Sequence, residues 1–573
     1  MPNQSPFKTA TAGHQQVPLD WMPATQVRPF VFEDPAVIWL KYHGEKHGFQ
    51  PDTSPYEFLD FIGEKGRQFE KKWTKEMAPD TVRVCSEAFQ ARSVEKMRET
   101  WELTCSGTAV IAQPALWWAP ERVYGVPDLL VHTSWLRDNF PDLLSEAQRQ
   151  ADAPNLRDTG MRGHYTVFDI KFTTKLDESQ KDKDLKSYAA QVRIYSYMLG
   201  HLQGLMPQKA YLITRDRISN PLPVDISSTL KRPLDDDLAA MRDKFVEIKL
   251  NGANFTPWQD DIVVSNIKQP AGRWRTAKNI IAQEKVPGRD SGLLYQISLS
   301  LKRELAAMGF PSLDSMLQED PKKIPFEKSR GVGPAKANRI RAILEANRSG
   351  SPVAPPSDLI PSKKRFEFYV DFEYFTNVNV DFDSQWPTLD GCDMIFMVGA
   401  GWEDGEGWAF KTFAAGAEDQ DQEREMLEEF LEFLRAQTEG VLTDATRTAL
   451  YHWTSPEVWQ ARRASDRHQL PISHPLRKLP WCDLQKVFLD GPCGVPGAWA
   501  YGLKGVAKAL GKINPEFDPQ WPGDLDEGLR AMVMGWKTYQ TTRPLESQEM
   551  TTLTQYLEAD CKALWKILKW LRS

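Results

Sequence analysis

The chain has 573 residues, 41% of them hydrophobic, with 71 Lys and Arg against 78 Asp and Glu for a formal net charge of −7. These proportions are those of a globular protein of several domains and exclude a fibrous repeat or a wholly disordered chain. The small acidic excess also excludes a protein held to nucleic acid by bulk positive charge, but it is compatible with clusters of metal-binding carboxylates.

Cysteine usage and hydropathy both favour a cytoplasmic protein. The six cysteines are scattered without a C-x-x-C pair, which disfavours a disulfide framework and a zinc knuckle. No apolar run approaches about 18 residues, and the first 20 residues are polar rather than signal-peptide-like. We therefore expect a reducing compartment and no membrane partner.

Three blocks follow a flexible N-terminal arm, which the sequence predicts over residues 1–26. Residues 27–258 alternate helical and strand-like patterns, and residues 259–347 are largely helical. A Pro- and Ser-rich linker at 348–363 precedes a second alternating block at 364–573. Because such alternation is typical of α/β layers, we expect an α/β multidomain protein with a small helical region between its two α/β blocks.

Carboxylates and a lysine recur on the predicted strands of the first block. Asp128 follows Gly125-Val-Pro, and Asp169 and Lys171 lie two apart in an apolar run, so both project from one strand face. Two carboxylates can hold a hard divalent cation, and an adjacent lysine can orient water and offset phosphate charge. The alternative is a surface salt bridge between Asp169 and Lys171 on an edge strand.

The order of these motifs resembles the RecB-type branch of the PD-(D/E)xK nuclease superfamily over residues 55–214. An early helix carries Glu70, the G-x-P-D and D-I-K strands follow, and a later helix carries Gln191 and Tyr195 one turn apart. The resemblance implies a restriction-endonuclease-like α/β core.

The same resemblance implies roles for individual residues. It implies that Glu70, Asp128 and Asp169 are metal ligands and that Lys171, Asp128 and Asp169 are catalytic residues, with Lys171 as the catalytic lysine. It also implies that Gln191 and Tyr195 shape the site and contact DNA. Several relatives hold an iron–sulfur cluster with four cysteines. Only Cys85 and Cys105 lie in this block, so we expect no such cluster.

The segment 321–365 is strongly basic, with 11 Lys and Arg against three acidic residues. Within it, Gly331-Val-Gly333-Pro-Ala-Lys336, followed by Arg339, resembles the hairpin of a helix-hairpin-helix element. In such hairpins the glycines let backbone N–H groups approach a phosphate, and the contact is sequence-independent and salt-sensitive. The resemblance thus implies nucleic-acid binding by these four residues, whereas a solvated helix face with an ordinary glycine turn is the alternative.

A second set of carboxylates lies in the last block. Asp371 and Glu373 are two apart on its opening strand, and Tyr556 and Asp560 are four apart on its final helix, so each pair shares a face. Two-metal hydrolysis needs three or four carboxylates converging from separate elements, and a tyrosine near them can orient water. The alternative is a solvated strand pair and an ordinary helix end.

This set resembles an RNase H-like 3′→5′ exonuclease domain of the DEDD group, tyrosine subtype, over about residues 364–571. The resemblance implies metal ligands at Asp371, Glu373, Glu457 and Asp560, with Asp371, Glu373, Asp560 and Tyr556 as catalytic residues. The segment His452-Trp-Thr-Ser-Pro-Glu457 departs from the usual pattern, because Trp453 and Glu457 replace Asn and Asp. The extra methylene of Glu457 shifts its carboxylate relative to that of an aspartate. The resemblance therefore does not decide whether a second metal ion binds or how fast the reaction is.

Both blocks and the helix-hairpin-helix region together resemble one family of RecB-like nucleases, in which a helicase is sometimes fused. The resemblance implies a Mg²⁺- or Mn²⁺-dependent DNA nuclease, an exonuclease on single-stranded ends in DNA repair, recombination or phage-type processing. The chain has no Walker A motif, so no ATP is expected and any helicase partner would act in trans. Two alternatives share these motifs: a nucleic-acid-binding protein with one inactive nuclease domain, and an RNA-processing exonuclease.

Overall fold

The structure, a computed structural model, forms two compact units. Of the residues that the structure describes, the first unit contains those within 5–51 and 62–278, and the second contains those within 52–61, 279–379 and 393–573. The described residues are 5–52, 56–157, 160–173, 183–226, 234–254, 256, 258, 272–379, 393–521 and 528–573. No helix within these ranges is both long and apolar enough to pass through a membrane.

The first unit mixes helices and strands. Its helices are α1 (Ser5–Thr11), α2 (Arg28–Val31), α3 (Ala36–Trp39), α4 (Tyr56–Met77), α5 (Val94–Cys105), α6 (Thr133–Asn139), α7 (Glu146–Gln150), α8 (Pro154–Arg157), α9 (Lys183–Gln203) and α10 (Leu234–Asn251). Its strands are β1 (Met22–Pro23), β2 (Val82–Arg83), β3 (Val110–Ala112), β4 (Leu116–Trp118), β5 (Val123–Gly125), β6 (Leu129–His132), β7 (Tyr165–Ile170), β8 (Lys209–Ile213) and β9 (Leu222–Asp225). Helix α11 (Arg275–Ile280) spans the boundary between the units, and so does α4, whose residues 56–61 belong to the second unit.

A mixed six-stranded sheet in the order β2-β3-β6-β7-β8-β9 is the centre of the first unit. Every residue of β7 is buried, which explains why this strand is a continuous apolar run rather than an alternating one. Phe69 and Trp73 of α4 are fully buried in one core with Leu129 and Phe168 of the sheet, and α9 contacts β7. The remaining strands form a three-stranded sheet in the order β1-β5-β4.

The prediction of a flexible arm over residues 1–26 is wrong for residues 5–26. Phe7 and Ala10 of α1 are buried, Trp21 is 2% exposed, and Met22 begins a strand that pairs with β5. The polar and proline residues of this segment suggested a loose chain, but most of its large apolar side chains are buried, with Leu19 as an exposed exception. Burial of these side chains from water stabilises the packing of the segment on the rest of the first unit.

The second unit contains the helices and strands from residue 299 onward. Its helices are α12 (Leu299–Ala307), α13 (Leu313–Gln318), α14 (Pro334–Ser349), α15 (Gln420–Gln437), α16 (Pro456–Arg467), α17 (Gln485–Asp490), α18 (Leu503–Ile513), α19 (Gly528–Tyr539) and α20 (Gln548–Arg572). Its strands are β10 (Phe366–Tyr374), β11 (Ile395–Asp404), β12 (Gly407–Ala414), β13 (Thr448–His452) and β14 (Trp481–Asp483).

These strands form a five-stranded mixed sheet in the order β12-β11-β10-β13-β14. The first three strands of this order are antiparallel, whereas β13 and β14 run parallel to β10. Residues of β10 alternate between two cores, with Phe368 and Val370 in one and Tyr369 in the other. Because Asp371 and Glu373 share the parity of Tyr369, they project from the face that α18 and α20 also cover.

The helical middle region and the C-terminal sheet share this second core. Leu305 of α12, Ile340 of α14 and Leu568 of α20 are all buried in it. The segment predicted as a linker at 348–363 is also fixed, because Val353 and Gly494 exchange backbone hydrogen bonds of 2.9 and 3.0 Å. This Pro- and Ser-rich segment therefore has an irregular but packed backbone and is not a free linker.

Candidate active sites

The register of the six-stranded sheet brings Asp128 and Asp169 together. Strands β6 and β7 are antiparallel with Leu129 opposite Phe168, so Asp128, immediately before β6, lies beside Asp169 near the end of β7. The backbone N–H of Ile170 donates to Asp128 Oδ2 at 2.6 Å. Two of the carboxylates that the sequence predicts as ligands are thus neighbours on the two central strands of the sheet.

Lys171 pairs with these carboxylates. Its Nζ lies 2.5 Å from Asp169 Oδ2, and the Asp169 side chain is 1% exposed. Burial raises the pKa of Asp128 well above its usual range, and the negative charge of Asp169 raises it further. Burial lowers the pKa of Lys171, but attraction to Asp169 and Asp128 outweighs burial and leaves that pKa raised. Lys171 is therefore a charged group among buried acids.

Gln113, which the sequence analysis missed, connects Glu70 to this pair. Its side-chain Nε2 donates to Glu70 Oε1 at 3.0 Å and to Asp128 Oδ1 at 3.1 Å. Its backbone has a φ of 50°, a left-handed conformation that is uncommon for a residue with a side chain. Backbone strain of this kind concentrates at functional sites. No motif around Gln113 signals it, because its role depends on two partners distant in sequence.

Replacing Gln113 by leucine should destabilise the first unit. The substitution removes the donor shared by two partly buried carboxylates. Glu70 Oε1 keeps Arg83 Nη2 at 3.1 Å, whereas Asp128 Oδ1 loses the amide, and an unsatisfied buried group costs about 1–3 kcal/mol. We expect this loss in the free energy of urea unfolding measured in chelator. The matched control is Gln150→Leu at an exposed position, which should change stability by less than about 0.5 kcal/mol. Equal losses in both variants would contradict a bridging role for Gln113.

Gln191 and Tyr195 are together on α9, but they are buried. Gln191 Nε2 donates to the Tyr195 hydroxyl at 2.9 Å, and the two side chains are 6% and 1% exposed. Burial raises the pKa of Tyr195, and the charge of Asp169 adds to the rise. A Cβ on Gly125 would lie 2.4 Å from the Tyr195 ring, which explains the glycine of G-x-P-D. The pair forms the wall of the site, and its contact with DNA stays a prediction.

The predicted hairpin precedes α14. Gly331 has a φ of 76°, and nothing lies within 4 Å of where a Cβ would be on Gly331 or Gly333, so the turn is open. Lys336 is partly exposed on the first turn of the helix. The guanidinium of Arg339, by contrast, donates to the Leu489 carbonyl at 2.6 Å. Arg339 thus has a structural partner within the unit, and phosphate binding at the hairpin stays a prediction.

Four carboxylates from three elements converge in the second unit. Asp371 and Glu373 come from β10, Glu457 from the first turn of α16, and Asp560 from α20. Glu373, Glu457 and Asp560 are 5–7% exposed, and Asp371 is partly buried. Strand periodicity in the sequence already predicts that Asp371 and Glu373 share a face. Only the folded structure shows that Glu457 and Asp560 lie beside them.

These carboxylates repel one another. Burial raises the pKa of Asp371 well above its usual range, and the charges of Asp560 and Glu457 raise it further. Burial and the charges of Asp371 and Asp560 do the same for the pKa of Glu373. Burial raises the pKa of Glu457 to about 8. Asp371 and Glu457 also share a hydrogen bond.

Lys504 of α18 and Trp521 accompany Asp560, and the sequence analysis assigned neither a role. Lys504 Nζ donates to the Tyr556 hydroxyl at 2.8 Å and lies 4.0 Å from Asp560 Oδ2. The Tyr556 hydroxyl in turn hydrogen-bonds Asp560, while Trp521 Nε1 donates to Asp560 Oδ1 at 2.7 Å. Tyr556 is thereby held between a cation and a carboxylate.

The unusual segment before Glu457 is strained. Thr454 has a φ of 68°, which is rare for a β-branched residue, and its N–H donates to Asp483 Oδ1 at 3.0 Å. Asp483 therefore supports this turn. Trp453, which replaces the usual Asn, is 8% exposed and donates to the Tyr501 carbonyl at 3.1 Å. The tryptophan is thus a packing residue.

One comparison with known proteins bears on this site. A family model described as RNase_H superfamily matches residues 387–572, and none of the curated proteins matches the chain. The match includes Glu457, Tyr556 and Asp560, whereas Asp371 and Glu373 precede it on β10, the central strand of the same sheet. The C-terminal part of the chain therefore contains an RNase H-like domain, as predicted. Such a domain indicates a nuclease-type or nucleic-acid-handling function.

RNase H-like nuclease domains generally use divalent metals. Within the described ranges, no group of three or more His, Cys, Asp or Glu side chains is arranged so that it could hold an ion. The donor chemistry nevertheless fits, because carboxylate oxygens are the ligands that Mg²⁺ and Mn²⁺ prefer. Glu457 Oε2 and His452 Nδ1 lie 3.3 Å apart, and both are buried without a hydrogen-bond partner among the described residues. Asp371, Glu373, Glu457 and Asp560 are the residues that would hold such an ion.

Proposed function

We propose that the protein is a divalent-metal-dependent nuclease that hydrolyses phosphodiesters of DNA, acting as an exonuclease on single-stranded ends. The observation that carries this proposal is the convergence of Asp371, Glu373, Glu457 and Asp560 in an RNase H-like domain. Among the described residues, Lys504 is the cation that lowers the pKa of Glu373 and Asp560. Buried like charges are costly unless a partner neutralises them, and Mg²⁺ or Mn²⁺ does so with oxygen ligands. DNA repair, recombination and phage-type processing all need such an enzyme.

In this proposal each residue of the C-terminal centre has a distinct task. The four carboxylates would hold a divalent cation, which would supply charge stabilisation at the scissile phosphate. Tyr556 orients the attacking water through its hydroxyl. Lys504 fixes that hydroxyl at 2.8 Å, and Trp521 fixes Asp560 at 2.7 Å. Preorganised groups of this kind lower the barrier because they need no rearrangement during the reaction.

The first unit is proposed to be a second nuclease centre of the PD-(D/E)xK type. Glu70, Asp128 and Asp169 would hold the metal ion, and Lys171 would orient water and offset phosphate charge. What supports this assignment is that Gln113 Nε2 lies within 3.1 Å of oxygens from both Glu70 and Asp128. Carboxylate oxygens of Glu70 and Asp128, which are distant in sequence, thus both face the position of the Gln113 amide nitrogen.

The decisive test of the function is digestion of end-labelled strands by the purified full chain. With Mg²⁺ or Mn²⁺ we expect a ladder shortening from one end of single-stranded DNA, and with chelator we expect none. Parallel single-stranded RNA and double-stranded DNA separate an RNA-processing enzyme from a DNA exonuclease. Hydrolysis that persists in chelator, or no hydrolysis with any strand and metal, would refute the proposal.

A second candidate is a nucleic-acid-binding protein whose C-terminal centre is inactive. The specific observation in its favour is that Asp371 and Glu457 share a hydrogen bond, and that no preformed ion-binding group is found among the described residues. Calorimetric titration with Mn²⁺ separates the two cases. An active centre should bind the ion in wild type and lose that heat signal in Asp371→Asn, whereas an inactive centre should give the same titration in both.

If Lys504 acts through the Tyr556 hydroxyl, the two residues should behave as one unit in kinetics. We expect Lys504→Ala and Tyr556→Phe each to lower kcat of the C-terminal centre by about 10–100-fold, and the double variant to be no slower than the worse single one. Lys504→Arg should recover part of the loss. The measurement is kcat on labelled single strands in a Lys171→Ala background. Multiplicative losses would show that Lys504 acts independently of Tyr556.

A further inference from the structure

Helix α18 presents a row of lysines that begins at the C-terminal centre. Lys504, Lys508 and Lys512 are four residues apart, so they follow one side of the helix with a rise of about 6 Å between neighbours. The 25 residues from Gly491 to Pro515 contain these three lysines and no acidic residue, in a chain whose net charge is −7. The row is therefore a local cationic strip on an acidic protein.

The strip is anchored to the carboxylates at one end and open to solvent at the other. Lys504 Nζ and Lys508 Nζ lie 5.8 and 5.7 Å from the ring of Trp521, which itself donates to Asp560. Lys504 is partly buried, whereas Lys508 and Lys512 are exposed. No carboxylate among the described residues pairs with the two exposed lysines.

We propose that Lys508 and Lys512 bind successive phosphates of the single strand whose end is hydrolysed at the carboxylate centre. This inference rests on the proposed function, and it specifies the surface along which the substrate strand lies. Charge complementarity favours a polyanion, and the regular spacing along a helix suits a strand that carries one charge per nucleotide. The contact is with phosphates, so it is independent of base sequence.

The test is the salt dependence of strand binding, measured in chelator so that no hydrolysis occurs. The probe is a fluorescently labelled oligonucleotide of about 20 nucleotides, longer than the usual site of one binding module, as DNA in one arm and RNA in the other. The slope of log affinity against log salt is negative, and removing one phosphate contact to a single strand reduces its magnitude by about 0.7. Lys508→Ala/Lys512→Ala should therefore reduce the magnitude of the slope by about twice that amount, or about 1.4, relative to wild type.

The matched control is Lys478→Ala/Lys537→Ala, which removes two exposed lysines of the same unit outside α18. Its slope should equal that of wild type. A slope reduced only in the α18 variant supports the inference, for DNA, RNA or both. An unchanged slope in the α18 variant, or an equal reduction in the control, overturns it. Because binding is measured without turnover, a reduced slope in a protein that hydrolyses nothing would refute the proposed function alone.

Discussion

The Asp371→Asn variant should lose nuclease activity at the C-terminal centre and yet unfold at a higher temperature. Removing a carboxylate that holds the metal ion forfeits several kcal/mol of transition-state stabilisation, so we expect kcat to fall by about 100-fold or more. The buried amide carries no charge, so the repulsion with Asp560 and Glu457 weakens. We expect the midpoint of thermal unfolding in chelator to rise by at least about 2 °C.

The stability gain should depend on pH in a defined direction. The pKa of Asp371 is raised in the folded protein by burial and by Asp560, so folding takes up a proton above the ordinary aspartate pKa of about 3.9. Stability of the wild type therefore falls as pH rises above that value, and asparagine avoids this loss. The difference between variant and wild type should be larger at pH 7 than at pH 5.

The control for Asp371→Asn is Asp358→Asn, an exposed aspartate of the same unit. Its activity and its unfolding midpoint should match those of wild type at both pH values. If Asp371→Asn instead keeps full activity, Asp371 does not hold a metal ion needed for hydrolysis. If its midpoint falls at both pH values, the carboxylate cluster is stabilising and the electrostatic account is wrong.

Lys171→Ala should abolish the activity of the first unit and also destabilise it. Loss of the lysine leaves Asp169, which is 1% exposed, without its 2.5 Å partner. Removing one member of a buried ion pair costs about 3–5 kcal/mol. We expect that loss in urea unfolding, and we expect kcat for DNA digestion to fall by about 100-fold or more in an Asp371→Asn background.

A double variant separates chemistry from folding at this pair. Asp169→Asn/Lys171→Ala removes both buried charges, so it should recover most of the lost stability while its activity stays absent. Lys186→Ala, an exposed lysine of α9, should leave stability within about 0.5 kcal/mol of wild type. Activity equal to wild type in Lys171→Ala would exclude Lys171 from the reaction.

Local spacing in the sequence was sufficient to predict which carboxylates share a face. Asp371 and Glu373 alternate with Phe372 on β10, and Tyr556 and Asp560 lie one helical turn apart on α20, so strand and helix periodicity alone orient each pair. The RNase H-like domain was predicted from this order and is confirmed by the family match. What periodicity cannot supply is the sheet order that brings the two pairs together.

The residues that sequence reasoning missed are those whose role depends on distant partners. Gln113 matters because Glu70 and Asp128 meet at its amide, and Trp521 matters because it reaches Asp560. Neither residue lies in a recognisable motif. Lys504 is different, because its acid-free surroundings with lysines every four residues are visible in the sequence and could have marked the segment.

Two segments rich in proline and polar residues are packed, although their composition is typical of free chain. Prolines and polar residues near the N-terminus and at 348–363 predicted free chain, yet Trp21 is buried and Val353 is hydrogen-bonded to Gly494. Composition reports how many side chains of a segment can be buried. It does not report whether the few apolar ones have a surface to pack against.

The core shared by α12, α14 and α20 has a consequence for how the second unit can be divided. A protease cut between Gly350 and Pro361 would break the chain without separating the apolar surfaces, since Ile340 and Leu568 would still be packed in one interior. The two pieces should therefore stay associated after cleavage. Produced separately, residues 279–350 and 361–573 should each expose the apolar surface of this core and should recover their packing on mixing, as complementing fragments do.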